Sequence, residues 1–177
     1  MADEILFLGT GAADWRLDAP DLPLRRFSSI LINGELLVDP GPHIYHFTQS
    51  FGAPDLYRDV SHVLLTHSHP DHFSHDTLRR LAQSQPVTFC AGEAVKDMVA
   101  DIPNLHFCTM PLWCPSQIGG YEVIPLAANH STDIADEIPR HYIIRTPSGK
   151  KIFYGCDGAW LCNRTWKVLR GHCFDVM

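Results

Sequence analysis

Three histidines and one aspartate crowd into six positions of the segment LLTHSHPDHF, residues 64–73, directly after a short apolar run. Such a run predicts a buried β-strand, so the polar residues lie where a strand ends and a turn begins. Imidazole nitrogens and carboxylate oxygens are common zinc ligands. In a tight turn, His67 and His69 point to one side while Asp71 and His72 reach the other, and the spacing therefore favours two adjacent metals. A polar loop without metal is the weaker interpretation of four such ligands.

The rest of the chain predicts a layered α/β protein with a mixed sheet. Asn33-Gly34 and Pro147-Ser148-Gly149 indicate two hairpins, and strand-helix alternation elsewhere indicates parallel strands. The predicted strands are 5–8, 28–32, 35–38, 62–65, 86–90, 121–126, 142–146 and 151–154. The predicted helices are 76–81, 93–100 and 160–169. An irregular loop is predicted over residues 12–27. Because no repeat or linker interrupts this pattern, we expect one domain over residues 1–177.

Net charge, hydropathy and cysteine spacing predict which binding partners and which cellular compartment the protein has. The formal net charge is -6, so no overall basic field attracts nucleic acid or anionic lipid. The segment 1–4 lacks the basic start of a secretory signal, and no apolar stretch reaches membrane-spanning length. We therefore expect a cytoplasmic protein with no membrane partner. Its six cysteines include no CxxC pair, which predicts reduced thiols.

The segment HSHPDH resembles the HxHxDH signature of the metallo-β-lactamase fold superfamily. The resemblance extends to FLGTGAA at 7–13, LLVDPG at 36–41, LAANHS at 126–131 and YGCDGAW at 154–160. It implies an αββα sandwich with mixed sheets. The Thr-Gly opening and the NHS triplet look most like the phosphodiesterase branch. That branch includes the phosphodiesterase of the carbon-phosphorus lyase pathway and, more distantly, the endonucleases that trim tRNA 3′ ends.

The resemblance also implies a ligand set for two zinc ions, with manganese or iron as alternatives. The first ion would be held by His67, His69 and His130, the second by Asp71 and His72, and Asp157 would bridge the two. Asp39 would fix the turn of the motif from behind its ligands. Two such metals would make hydroxide available near neutral pH and polarise the scissile group.

A phosphodiesterase that acts on a small-molecule phosphodiester is the function that the resemblance implies. Asp71, Asp157 and His141 are the expected catalytic residues, with His141 as a proton donor or substrate contact. Arg16, Arg25 and Arg26 would contact a phosphate or form a solvated face. The same site also serves carboxylic esters, lactones or thioesters, and an inactive metal-binding module is a further alternative. Nucleic acid is the less favoured partner, and a homodimer is compatible with the sequence.

The end of the chain departs from the family pattern. Family members supply one more histidine to the second metal, well downstream of the bridging aspartate, whereas this chain ends in GHCFDVM at 171–177. His172 comes too early to take that role. We therefore expect a C-terminally incomplete domain whose second metal is bound less tightly than its first.

Overall fold

Two β-sheets lie face to face in the computed structural model, which describes residues 2–16, 18 and 25–177. The first sheet has the order β1 (Ile5–Gly9), β2 (Ser29–Ile32), β3 (Leu36–Val38), β4 (His62–Leu64), β5 (Val87–Ala91) and β6 (Leu105–Thr109). The second contains β7 (Ser116–Ile118), β8 (Tyr121–Ala127), β9 (Arg140–Arg145) and β10 (Lys151–Tyr154), in the order β10-β9-β8-β7. The helices are α1 (Ile44–Phe51), α2 (His75–Ser84), α3 (Asn163–Leu169) and a 3₁₀ helix (Glu93–Val99).

Strand direction and register bring several strand ends to one edge of the sandwich. Strands β1 to β3 are antiparallel, whereas β3 to β6 run parallel, and the second sheet is antiparallel throughout. Val38 pairs with Leu64, and Leu64 pairs with Cys90, so β3, β4 and β5 end side by side. Because the carboxyl ends of parallel strands share an edge, the turns that follow β3 and β4 are neighbours.

The layers are held together by three apolar clusters. The largest lies between the first sheet and helices α1 and α2, and includes Leu37, Phe47 and Leu78. A second cluster fills the space between the sheets, and a third joins β8 and β9 to Leu169 of α3. Full burial of each such side chain contributes about 1.5–3 kcal/mol to folding. This arrangement agrees with the predicted αββα sandwich with mixed sheets.

The sequence predicted most of these elements but missed three. Asn33 and Gly34 adopt the positive φ of the predicted hairpin turn, and Ser74 caps α2 by accepting a hydrogen bond from Thr77 N at 3.2 Å. The elements α1, β6 and β7 were not predicted, because α1 is only two turns long and both strands are edge strands without a clear period. The predicted helix 93–100 is a 3₁₀ helix. Pro20 and Pro23 of the predicted loop lie outside the described residues.

Two expectations from composition concern thiols and membranes. All six cysteines are free, and burial raises the pKa of the Cys90 thiol. In the part of the chain that the structure describes, no helix has both the length and the hydropathy needed to cross a bilayer.

Candidate metal centre

Four segments carry the predicted ligands to one edge of the sandwich. Asp39 follows β3, the HSHPDH segment follows β4, His130 follows β8, and Asp157 follows β10. The side chains of His67, Asp71 and His72 are buried, whereas those of His69, His130 and Asp157 are partly exposed. The cluster is therefore anchored in the fold on one side and open to solvent on the other.

Three imidazoles and one carboxylate converge at the first cluster. His67 Nε2 lies 3.0 Å from His69 Nδ1, which lies 3.1 Å from His130 Nε2. Asp157 Oδ2 lies 3.9 Å from His67 Nε2 and 3.6 Å from His130 Nε2. One ligand atom from each residue lies within 4.8 Å of the other three. Zinc bonds of about 2.0–2.1 Å in a tetrahedron place ligand atoms about 3.3 Å apart, so these residues fit a divalent cation.

A second cluster shares the Asp157 carboxylate with the first. His72 Nε2 lies 3.2 Å from Asp71 Oδ2 and 3.5 Å from Asp157 Oδ2. These three residues also offer ligand atoms within 4.8 Å of one another. Because the same Asp157 oxygen faces both groups, the geometry suits two neighbouring cations with one bridging carboxylate. The first cluster offers four donors and the second three, and tighter binding at the first stays a prediction.

The electrostatics of the cluster favour positive charge. Burial lowers the pKa of His67 to about 4, and this ring is therefore a neutral donor at pH 7. Burial alone would lower the pKa of His72, but hydrogen bonds to Asp157, Asp39 and Asp71 outweigh it and raise that pKa well above its usual range. The same hydrogen bond from His72 lowers the pKa of Asp157 to about 2. Three carboxylates that stabilise positive charge on His72 would equally stabilise a metal cation, which would take the place of the proton on His72 Nε2.

Asp39 lies behind the cluster and contacts both Thr66 and His72, and the supporting role that the resemblance implied stays a prediction. Its carboxylate is fully buried, and Oδ1 accepts hydrogen bonds from Thr66 N at 2.8 Å and Thr66 Oγ1 at 2.9 Å. Oδ2 lies 3.1 Å from His72 Nδ1 and accepts a bond from the Tyr154 hydroxyl at 3.3 Å. The His72 ring is thereby oriented with Nε2 towards the cluster. Sequence reasoning missed Thr66 and Tyr154, because neither belongs to a recognisable motif.

Gly41 allows the motif turn to pack against the end of β3. A Cβ at this position would lie 2.4 Å from Asp71 O and 2.8 Å from His43 Nδ1. Both distances are shorter than real contacts, so any other residue would push the turn away. In the Asp39-Pro40-Gly41 segment, the Asp39 carboxylate therefore contacts His72, and Gly41 leaves the space that the motif turn occupies.

The other candidate residues lie outside the clusters. His141 is buried, its ring packs against Phe153 at 5.7 Å, and its Nδ1 has no hydrogen-bond partner among the described residues. A Cβ at Gly158 would lie 3.2 Å from His141 Cε1, so the ring contacts the residue after Asp157. Its role as a proton donor stays a prediction.

Two arginines of the 12–27 loop make local contacts. Arg16 pairs with Asp18 at 2.5 Å, and Arg26 donates to His46 at 3.3 Å and to Ser50 at 3.0 Å. Both arginines therefore have partners within the chain, and a phosphate contact by Arg16, Arg25 or Arg26 stays a prediction.

Alternation along a strand that continued to Cys156 would turn its thiol into the core. Strand β10 ends at Tyr154, so alternation does not extend to Cys156. Its Sγ instead lies 3.5 Å from His72 Nδ1 and 3.9 Å from Asp157 Oδ1.

An aromatic cavity adjoins the ligands and was not predicted. It has a volume of about 680 Å³ and is lined by His69 and Asp71 together with Trp15, Phe27 and Phe73. Its described lining residues also include Ala13, Pro42, Pro70 and Ser74. These residues lie far apart in the sequence, which is why no local pattern indicated the cavity.

Comparison with known proteins identifies the fold. A family model described as a beta-lactamase superfamily domain matches residues 35–177. No curated protein matches the chain significantly. The metallo-beta-lactamase fold protein YhfI from Bacillus subtilis is similar, with 15% identity and a TM-score of 0.65 over 85% of this chain and 61% of that chain. The chain therefore spans less than two thirds of the length of YhfI.

Two further solved structures resemble the chain. A diphosphatase from the PhnP family has 16% identity and a TM-score of 0.71, over 96% of this chain and 71% of that chain. CmlA, a diiron beta-hydroxylase from Streptomyces venezuelae, has 14% identity and a TM-score of 0.61, over 81% of this chain and 30% of that chain. At these identities the likeness concerns the fold, and the predicted metallo-β-lactamase-like fold is confirmed.

Proposed function

Because the chain belongs to the beta-lactamase superfamily, whose domain model matches residues 35–177, we propose that it is a metal-dependent hydrolase acting on phosphodiesters. The convergence of four imidazoles and the carboxylates of Asp71 and Asp157 carries the metal-dependent part of this proposal. His67, His69 and His130 would hold one divalent cation, Asp71 and His72 the other, and Asp157 both. Two bound cations would supply a nucleophilic hydroxide near neutral pH and polarise the scissile bond.

The charge of the site supports an anionic substrate. Asp39, Asp71 and Asp157 bring three negative charges to the cluster, and two divalent cations more than neutralise them. A phosphodiester carries one negative charge, which the protein's formal net charge of -6 would otherwise repel. The cluster would therefore attract such a substrate locally, despite the acidic surface.

The chain's own residues have distinct tasks in this proposal. Asp39 holds His72 Nδ1 at 3.1 Å, so the ring keeps the orientation in which Nε2 faces the substrate side. The buried His67 and Asp71 fix the floor of the site, whereas the partly exposed His69, His130 and Asp157 leave it open to substrate. Asp71 and Asp157 would also orient the attacking water by accepting its hydrogen bonds. The proposed proton donor for the leaving group is His141.

Zinc is the proposed metal, with manganese and iron as alternatives, because imidazole and carboxylate ligands suit all three. The similarity to a PhnP-family diphosphatase supports phosphoryl chemistry. Hydrolysis of carboxylic esters, lactones or thioesters remains the second candidate, since the donor set itself does not select the substrate. A cytoplasmic location stays a prediction.

A substrate panel tests the proposed function. An aryl phosphodiester, a cyclic nucleotide, a lactone and a cephalosporin are compared at matched metal content, with the protein loaded in turn with zinc, manganese and iron. We expect the phosphodiesters to be hydrolysed faster than the lactone and the cephalosporin, and dialysis against chelator to remove the activity until metal is returned. Faster turnover of the lactone or the cephalosporin would refute the phosphodiesterase proposal while leaving the metal centre intact.

A further inference from the structure

The aromatic cavity opens directly onto the candidate metal centre, because His69 and Asp71 belong to both. The rest of its described wall is mainly apolar and contains the rings of Trp15, Phe27 and Phe73. Its volume of about 680 Å³ lies within the range of roughly 300–1,000 Å³ that small-molecule sites occupy. A molecule that reacts at the metal centre would therefore have room for its unreactive part in this cavity.

The wall of the cavity is held in place by ring-ring contacts. The Trp15 and Phe27 rings meet edge to face, with centroids 5.2 Å apart and an interplanar angle of 89°. The His43 ring contacts both, at 5.6 Å from Phe27 and 6.2 Å from Trp15, and is fully buried. Such contacts hold these buried rings in place before any ligand arrives. Little conformational entropy is then lost when a ligand binds.

We propose that this cavity selects substrates that carry a planar aromatic group next to the reacting bond. The proposal rests on the proposed function, since it assigns the reacting group to the metal centre and the aromatic group to the cavity. Aromatic rings pack edge to face or in offset stacks on such side chains. Among the described lining residues there is no lysine or arginine, whereas three are aromatic rings, so the described wall suits an uncharged ring better than a second anionic group.

Phe73 is the residue that best tests this selection. It is partly buried against the largest apolar cluster and joins the cavity directly after the metal-ligand segment, so shortening its side chain removes less buried contact than shortening Trp15 does. Trp15 is 3% exposed and carries more structural risk. We therefore pair Phe73→Ala with Phe73→Tyr, which keeps the ring, and Trp15→Leu with Trp15→Phe. Phe51→Ala is the matched control, because this ring is 65% exposed and lies outside the cavity.

The experiment measures binding instead of turnover, by titration calorimetry of the zinc-loaded protein. Phenylphosphonate and methylphosphonate form one ligand pair, and benzoate and acetate form the other. We expect the aromatic member of each pair to bind about tenfold more tightly, which corresponds to about 1.4 kcal/mol. Phe73→Ala and Trp15→Leu should reduce this ratio to about twofold, whereas Phe73→Tyr, Trp15→Phe and Phe51→Ala should preserve it.

The two ligand pairs separate this inference from the proposed function. Aromatic selectivity in both pairs supports the cavity even if phosphodiesters are not hydrolysed in the substrate panel. Equal affinity for the aromatic and methyl members in the unsubstituted protein would overturn the inference, even if phosphodiesterase activity is present. An unchanged ratio in both Phe73→Ala and Trp15→Leu would overturn it as well, because the selectivity would then arise elsewhere.

Discussion

Replacement of Asp157 with alanine is expected to reduce kcat/KM for an aryl phosphodiester at least about a thousandfold. The reason is that Asp157 Oδ2 faces both clusters, at 3.6 Å from His130 Nε2 and 3.5 Å from His72 Nε2. No other carboxylate among the described residues belongs to both groups of potential ligands. The substitution therefore weakens both proposed sites at once. Steady-state kinetics at saturating zinc, together with the zinc content of the variant, measure the effect.

Asp133→Ala is the matched control for this prediction. Asp133 is an exposed carboxylate in the segment after His130 and belongs to neither cluster, so its loss should change kcat/KM less than about twofold. If Asp157→Ala retained most of the activity of the unsubstituted protein, the bridging role would be wrong.

The second large effect is expected from Asp39→Asn. An amide has one acceptor oxygen, whereas the Asp39 carboxylate accepts from Thr66 on Oδ1 and faces His72 and Tyr154 with Oδ2. The buried substitution should lower the unfolding free energy of the metal-free protein by about 2 kcal/mol. It should also weaken zinc binding about 10-fold to 100-fold, because the His72 ring loses the group that orients it. Asparagine tolerates the positive φ of 59° at this position, so backbone strain adds little.

Denaturant unfolding of the metal-free protein and competition with a chromogenic zinc chelator measure these two quantities separately. Asp55→Asn is the control, because it makes the same chemical change at an exposed ion pair with Arg58. An Asp39→Asn protein that loses stability but binds zinc normally would contradict the orienting role and leave Asp39 with a structural one.

The sequence located the centre because its densest ligands are contiguous. His67, His69, Asp71 and His72 lie in one turn after an apolar strand, and that local pattern is visible without a structure. His130 and Asp157 could be placed only through the resemblance, because a single histidine or aspartate after a strand has no distinctive local pattern. Their convergence depends on β8 and β10 ending at the same edge as β4, which is a property of the whole topology.

The features that the sequence did not indicate are those that depend on packing between distant segments. Trp15 and Phe27 line one cavity with Phe73 only because the fold brings these two rings beside the motif turn. The Tyr154 hydroxyl donates to Asp39 across the space between the two sheets. The sequence around Tyr154 and the sequence around Asp39 contain no pattern that predicts this contact. Helix α1 was missed because it has only eight residues, of which Ile44, Phe47 and Thr48 are buried. A segment this short does not show enough apolar repeats to distinguish a helix from a loop.

Elemental analysis of protein purified without chelator tests the central claim, that this edge of the sandwich is a metal centre. Mass spectrometry of the digested protein should find on the order of one to two zinc, manganese or iron ions per chain. In the His67→Ala and His69→Ala double variant, which removes two donors of the first cluster, the content should fall by about one ion per chain, because the second cluster keeps its three donors. Equal metal content in the two proteins would contradict the assignment of these residues.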